Sequence, residues 1–383
     1  MTYRRPMTGA LATVALVCTG ISAAPAGATI TSTEGMAPAQ GVASLAGCPS
    51  SPVTPHASPM SSELAVPGVT VGQSGVQIPR DEAPHHDPVE WWYFSGHLRG
   101  TDAAGHVHCY GFEYVTFQLL GMAPVPVYVG DFAVTDLTRG TFHYAAKEDI
   151  YSVPTTKNGF SLHTGGWTMV GADGRDVLRA AIPGYTMDLQ LRSSEPPVLE
   201  GTDGVVSLGL IGTSKYYSWT SLLTTGTMRD HGVAVKLTGL SWMDHQWGTM
   251  DITGSGGWDW FSVQLSNGQQ YMLYFIRNSR GRIVDSFGNH VSSAGQVTHL
   301  GAMSERATGS WHSPATSITY GSGWQLTVPG GHLDIKPDVR NQELDLKATQ
   351  GNSYWEGDVS VEGQVDGAPV AGVGYTELNP PGR

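Results

Sequence analysis

From about residue 78 onward the chain alternates apolar and polar residues in short runs broken by turn signals. Tyr110-Gly-Phe-Glu-Tyr-Val-Thr-Phe-Gln-Leu-Leu120 is the clearest run. It sets Tyr110, Phe112 and Tyr114 on one side and Glu113, Val115, Phe117 and Leu119 on the other, the period of a strand. Val89-Glu-Trp-Trp-Tyr-Phe-Ser95 is a second dense strand-forming run, expected to end at Gly96, and Val127 to Thr135 a third. Phe160 to Thr164 with Gly166 to Val170, and Val177 to Ile182 with Tyr185 to Leu191, read as hairpins. Asn158-Gly159, Asp173-Gly174 and Pro183-Gly184 supply the turns. A second series follows: Gly232 to Leu240, Trp258 to Leu265, Gln270 to Arg277, and further short runs to Val373–Leu378. No stretch keeps a 3.6-residue period long enough for a major helix; a short helical piece is expected near Thr138 to Asp149. The pattern predicts an all-β chain, either two consecutive barrels dividing near residue 230 or one very large barrel.

Composition agrees. Only 14% of the 383 residues are charged and 50 are glycine, the profile of a globular, turn-rich protein. Residues 29–78, rich in Ser, Thr, Pro, Ala and Gly, show no period and read as a flexible leader. Residues 1–28 read as a signal peptide. Arg4 and Arg5 precede an uncharged apolar run from Gly9 to Ile21, and Ala26-Gly27-Ala28 offers a cleavage site. Secretion to the extracellular side, by the Sec or Tat route, is therefore expected. Cys18 stands in a poor lipoprotein box. Cleavage removes two of the 21 basic residues and none of the 33 acidic ones, leaving a net charge of −14. That balance argues against nucleic acid as a partner, and no later run is apolar enough for stable membrane insertion. Cys48 and Cys109 can pair in an oxidising compartment.

Chemistry concentrates in Leu240-Ser-Trp-Met-Asp-His-Gln-Trp-Gly248. In an extended chain Asp244 and Gln246 face one way, His245 and Trp247 the other. Asp244 and His245 then cannot pair simply, whereas an indole beside an imidazole excludes water and shifts its proton affinity. The competing reading is a hydrogen-bonded core histidine packed by a tryptophan. Glu90 before Trp91 and Trp92, and Asp259 between Trp258 and Trp260, raise a parallel question. A carboxyl in an apolar site is kept protonated, as a proton donor, unless it is paired. His245, or a protonated Glu90 or Asp259, is thus the candidate acid. Trp91, Trp92, Tyr93, Tyr217, Trp242, Trp258, Trp260 and Tyr274 are the candidate rings of a substrate pocket. His106 and His108 form a workable ligand pair, but no third ligand follows from the sequence, so neither a metal nor a cofactor is expected. His85 and His86 read as loop residues. No G-x-S-x-G, H-E-x-x-H or P-loop occurs.

Several motifs appear in one order: His86-Asp-Pro-Val-Glu-Trp-Trp-Tyr-Phe-Ser-Gly-His-Leu98, Lys215-Tyr-Tyr-Ser-Trp-Thr-Ser-Leu222, Asp244-His-Gln-Trp-Gly248, Gly257-Trp-Asp-Trp-Phe-Ser-Val-Gln-Leu265, Tyr354-Trp-Glu-Gly357 and Gly374-Tyr-Thr-Glu-Leu378. Together they resemble the lipocalin-like family of the carotenoid 1,2-hydratases (hydroxyneurosporene synthases), AttH-like proteins and predicted secreted hydrolases. Fungal Diels–Alderases are distant relatives. The resemblance implies two consecutive lipocalin-like β-barrel domains, here 79–230 and 231–383, with a hydrophobic cavity at or between them. It also implies catalytic roles for the histidine and tryptophan matching His245 and Trp247, with Asp244 as the motif aspartate. The family's downstream Tyr-x-Asp pair is not matched, since Tyr271 and Tyr274 lack the acid, which weighs against carotenoid hydration itself. The leading expectation is acid-catalysed hydration or rearrangement of an unsaturated apolar substrate, an isoprenoid or polyketide. A cofactor-free pericyclase, a carrier of lipid or pigment, and a hydrolase are the alternatives.

Overall fold

The computed structural model describes residues 75–121, 124–251, 256–301 and 303–381. The expected signal peptide, Cys18, Cys48 and the leader up to residue 74 lie outside the described residues. Strands make up 67% of the structure, and no α-helix occurs among the described residues. Among the described residues no helix is long and apolar enough to cross a membrane.

The first sheet is built from β1 (Val89–Asp102), β2 (Val107–Leu119), β3 (Val127–Asp136), β4 (Thr141–Ile150), β5 (Phe160–Thr164), β6 (Trp167–Ala172), β7 (Arg175–Ile182), β8 (Tyr185–Ser193), the short β9 (Val198–Leu199) and β10 (Val205–Ser207), and the long β11 (Gly212–Asp230) and β12 (Val233–Met250). Its order is β4-β3-β2-β1-β12-β11-β8-β7-β6-β5, with β9 and β10 on β11. It curls into a nearly closed barrel. The second sheet, a half-barrel, begins with β13 (Gly256–Leu265), β14 (Gln270–Asn278), β15 (Ile283–Val291), β16 (Val297–Leu300) and β17 (Ser304–Ala307). A separate two-stranded ribbon, β18 (Ser310–His312) with β19 (Thr319–Gly321), interrupts it. The half-barrel then resumes with β20 (Trp324–Val328), β21 (Gly331–Pro337), β22 (Glu343–Asp345), β23 (Ser353–Val365) and β24 (Ala368–Asn379).

Three details differ from the sequence reading. The sheets change over between Met250 and Gly256, not near residue 230, because β12 runs unbroken through the Asp244–Gly248 motif to pair with β1. The short helix expected near Thr138 to Asp149 is the strand β4, in full register with β3; Ala145 to Glu148 favour a helix in isolation, and sheet pairing overrides that preference. Gly96 does not end β1. It sits mid-strand, where a side chain would collide with Phe112 and Leu240.

Alternation decides which face each residue serves. Tyr110, Phe112, Tyr114, Trp92, Met243 and Trp247 share the core inside the first barrel. Tyr93, Val115, Trp242, Trp258, Trp260, Tyr274 and Tyr375 form a separate apolar cluster between the two sheets. Polar bonds cross that interface too. His97 meets Asp358 Oδ2 at 2.7 Å, and the Thr135 hydroxyl donates to Gln342 Oε1 at 2.6 Å. Gly111 lets the sheets approach, because a methyl there would stand 2.7 Å from Asp358 Cβ. Gly111→Ala is expected to cost about 1–3 kcal/mol, read as a lowered midpoint of urea unfolding; an unchanged midpoint would show that the sheets can part freely. Cys109, fully buried on β2, is disulfide-bonded.

A strap, residues 75–88, precedes β1 and packs against the barrel core. Val76 is fully buried and its N–H donates to Asp203 O, while Ile78 packs on the barrel core. The Glu82 carboxylate accepts the Asp173 N–H at 2.9 and 3.0 Å.

Candidate active site

Strand register assembles the site. On the barrel's inner face Lys215, Trp247, Glu90, Gln118 and Tyr128 lie directly opposite one another across β11, β12, β1, β2 and β3. One step along, Tyr217, His245 and Trp92 form the adjoining row. Side chains in such rows stand within contact distance, so residues 155 apart in the chain become neighbours.

Glu90 is the centre. It is fully buried, and its Oε1 accepts from His245 Nε2 at 2.7 Å and from His85 Nδ1 at 2.7 Å. Its Oε2 accepts the backbone N–H of His85 at 2.8 Å and the Gln118 amide at 3.0 Å. Gln118 also donates to His85 O and is itself held by the Tyr128 hydroxyl. Burial alone would push the Glu90 carboxyl up, but the bonds from His245 and His85 outweigh it and hold the group below its ordinary value. The expectation of a protonated Glu90 is therefore corrected. Four donors face it, and a carboxylate is what satisfies them.

The two imidazoles are driven apart. Burial pushes His245 down to about 4, against the pull of Glu90. His85 also loses water, but its bonds toward Asp81 and Glu90 raise it to about 9. Asp81, gripped by Arg80 Nη2 at 2.7 Å and by the Gln77 N–H at 2.8 Å, stands 3.9 Å from His85 Nε2. Near neutral pH the set is cationic His85, anionic Glu90 and neutral His245. Because His245 Nε2 faces a carboxylate, it carries the proton. Nδ1 is then the free lone pair, and it meets the Tyr217 hydroxyl at 3.3 Å. Aromatic walls close around them. His245 stacks on Trp92 with centroids 4.5 Å apart and stands 4.7 Å from Trp247, which stacks on His85 at 4.2 Å. His245, Glu90, Trp92, Trp247 and Tyr217 are 0% exposed, whereas the His85 side chain keeps 20%. His85 is the rim.

The structure thus brings together Glu90, His245, Trp247, Trp92 and Tyr217. The remaining sequence candidates lie elsewhere. Asp244 faces the inter-sheet cluster, where its carboxylate accepts from Ser218, Tyr216 and the Trp242 indole at 2.6–2.7 Å. Burial raises it to about 6 despite those bonds. Tyr93, Trp242, Trp258, Trp260 and Tyr274 share that cluster, with Trp91 packed on it. Asp259 joins neither group, since it accepts from Arg277 Nε at 2.9 Å on the second sheet. His85, Gln118 and Tyr128 were missed. His85 lies in no strand, so no periodicity could reveal it, and the other two follow only from the register of β2 and β3. The nitrogens and oxygen of His85, Glu90 and His245 lie within 4.8 Å of one another and could hold a metal ion. Here they satisfy each other by hydrogen bonds.

Dehydratase asqC of Emericella nidulans is 23% identical over 218 residues, 52% of this chain and 60% of its own. Kievitone hydratase of Fusarium solani subsp. phaseoli is 23% identical over 205 residues, 50% and 56% respectively. The chain therefore spans less than two thirds of either. An AttH crystal structure from Nitrosomonas europaea superposes with a TM-score of 0.72 at 26% identity, covering 81% of this chain and 98% of that one. The AttH-like family model matches residues 69–380, which takes in the strap, both sheets and every residue around Glu90, and the chain belongs to that family.

Proposed function

We propose that the chain is a hydro-lyase, adding water to or removing it from a double bond of a small, largely apolar substrate of isoprenoid or polyketide type. The observation that carries this reading is a fully buried imidazole with one nitrogen held at Glu90 and the other facing Tyr217. In the hydration direction His245 Nδ1 accepts a proton from water as its oxygen bonds to one carbon. Tyr217 gives its hydroxyl proton to the other carbon and regains one from His245. The sum is one water added. Glu90 stays ionised and steadies the imidazolium that forms. Trp92 and Trp247 exclude bulk water and present π faces to developing positive charge. The reading departs from the expected acid, His245 or a protonated Glu90 or Asp259, and makes Tyr217 the proton donor instead. A phenol pushed well above its usual value by burial is a weak acid, so a double bond polarised by a conjugated carbonyl suits it better than an isolated olefin. The hydratase and dehydratase names of the two relatives support the same direction. Substrate entry past the strap at His85, and export under the signal read at residues 1–28, belong to the same proposal.

The test is turnover of conjugated enones in ¹⁸O-labelled water. Label in the product supports the proposal. An unlabelled isomer formed equally well by a His245→Ala variant would mark a pericyclase, and unchanged bound material a carrier. Tyr217→Phe removes one hydroxyl without altering the ring. It is expected to lower kcat by about 10²-fold with little change in KM; a rise in KM alone would reduce Tyr217 to a wall residue.

A further inference from the structure

His106 and His108, which the reaction above leaves unused, acquire a third partner in the fold. Asp102 ends β1, His106 lies in the turn, and His108 is the second residue of β2. Both imidazoles approach one oxygen: Asp102 Oδ2 is 3.0 Å from His106 Nδ1 and 3.4 Å from His108 Nε2. Donors bound at about 2.0–2.1 Å to a tetrahedral ion stand about 3.3 Å apart, so each imidazole's separation from Oδ2 suits a shared cation, while the two ring nitrogens must still be brought together by rotation of His106. The other oxygen, Oδ1, is occupied by the N–H groups of Ala104 and His106 at 2.8 and 2.9 Å, which fixes the carboxylate and leaves Oδ2 to point at the rings.

A second, independent observation lies behind His108. Its ring is nine-tenths buried, and its Nδ1 makes no hydrogen bond. That nitrogen points toward Asp230 Oδ2, 3.5 Å away. Asp230 is held in turn by Tyr110, Arg139 and His231, each at 2.7 Å. A ligating histidine characteristically gives its far N–H to a carboxylate, which sets its tautomer and strengthens the ligand. An Nδ1–H on His108 would do that here and leave Nε2 free to coordinate. His106, with 75% of its side chain exposed, is free to swing its nitrogen toward His108 and close the set.

We propose that Asp102, His106 and His108 form a binding site for a divalent transition metal at the tip of the β1–β2 hairpin. Two imidazoles and one carboxylate suit zinc, nickel or copper rather than magnesium or calcium. Water completes the coordination on the side of the exposed His106, and the ion staples β1 to β2 across the turn. The site lies apart from Glu90 and owes nothing to the hydro-lyase reading.

Zinc chloride titrated by calorimetry into the tag-free, metal-stripped full chain tests it, with cobalt(II) absorption reporting geometry. One equivalent bound, a tetrahedral cobalt spectrum and a raised thermal midpoint are expected. His106→Ala, at an exposed position, and Asp102→Asn, which keeps the turn-capping oxygen, should each weaken binding by at least about tenfold. His85→Gln should bind zinc as the parent does. The proposal is overturned if the parent binds no zinc, if His106→Ala binds it unchanged, or if His85→Gln loses it, which would move the ion to the Glu90 cluster.

Discussion

Replacement of His245 by alanine is expected to lower kcat/KM for water addition by about 10²–10⁴-fold, the range a positioned acid–base group contributes. The loss follows from two removals. The Nδ1 lone pair that takes the proton from water disappears, and Glu90 loses the donor that couples it to the reacting atoms. The fold should survive, since His85 and Gln118 still satisfy the carboxylate. Native near-ultraviolet dichroism from the surrounding tryptophans would confirm that the loss is chemical. His245→Asn, with a smaller cavity, provides a second readout and should be comparably inactive. In the parent protein the acid limb of kcat/KM should fall near pH 4, where His245 gains its proton, rather than near 6.5. Activity within threefold of the parent in both variants, or an acid limb near 6.5, would remove His245 from the reaction.

The second large effect is on stability against pH. His85 is raised from 6.5 to about 9 in the folded protein. Its contribution is complete below pH 6.5 and is lost as pH rises through about 9, because across that window the unfolded chain has given up a proton that the folded state still keeps. His245 acts in the opposite direction. Lowered to about 4, it stays neutral while the unfolded chain protonates, so it costs stability increasingly as pH falls from 6.5 toward 4. As a pair, these two groups contribute most near pH 6.5. The share of the alkaline decline that belongs to His85 should amount to about 3 kcal/mol, and His85→Gln should remove that share. Urea midpoints between pH 6.5 and 9 measure this directly, and a parent protein as steep as its His85→Gln variant would assign the decline to other groups.

Much of the fold is legible because a two-residue period needs no knowledge of partners. The inward set of Tyr110, Phe112 and Tyr114, and the opposed faces of Asp244 and His245, follow from alternation alone. Pairing is another matter. Nothing local says that Glu90 lies beside His245, or that Asp259, in a similarly aromatic run, lies beside Arg277 instead. Both carboxylates look alike in sequence, and each is satisfied from outside its own strand, Glu90 by the strap and β12, Asp259 by β14. His85 is the harder case. It matters through a strap that has no period, and its ring reaches Glu90 only because the preceding turn is anchored by Asp81 and Glu82.

The pairing of β1 with β12 also dictates an order of events during synthesis. β1 is among the first strands of the barrel to be made, and the partner that completes its inner edge is the last. Until residue 250 has left the ribosome, Trp92 and Glu90 have no His245 or Trp247 to meet. The nascent chain must carry an open, aromatic-rich edge for the whole interval, the kind of edge that sticks to its own kind. Chains truncated before β12 should therefore aggregate rather than accumulate as a smaller barrel, and proton transfer becomes available only when the ring of strands shuts.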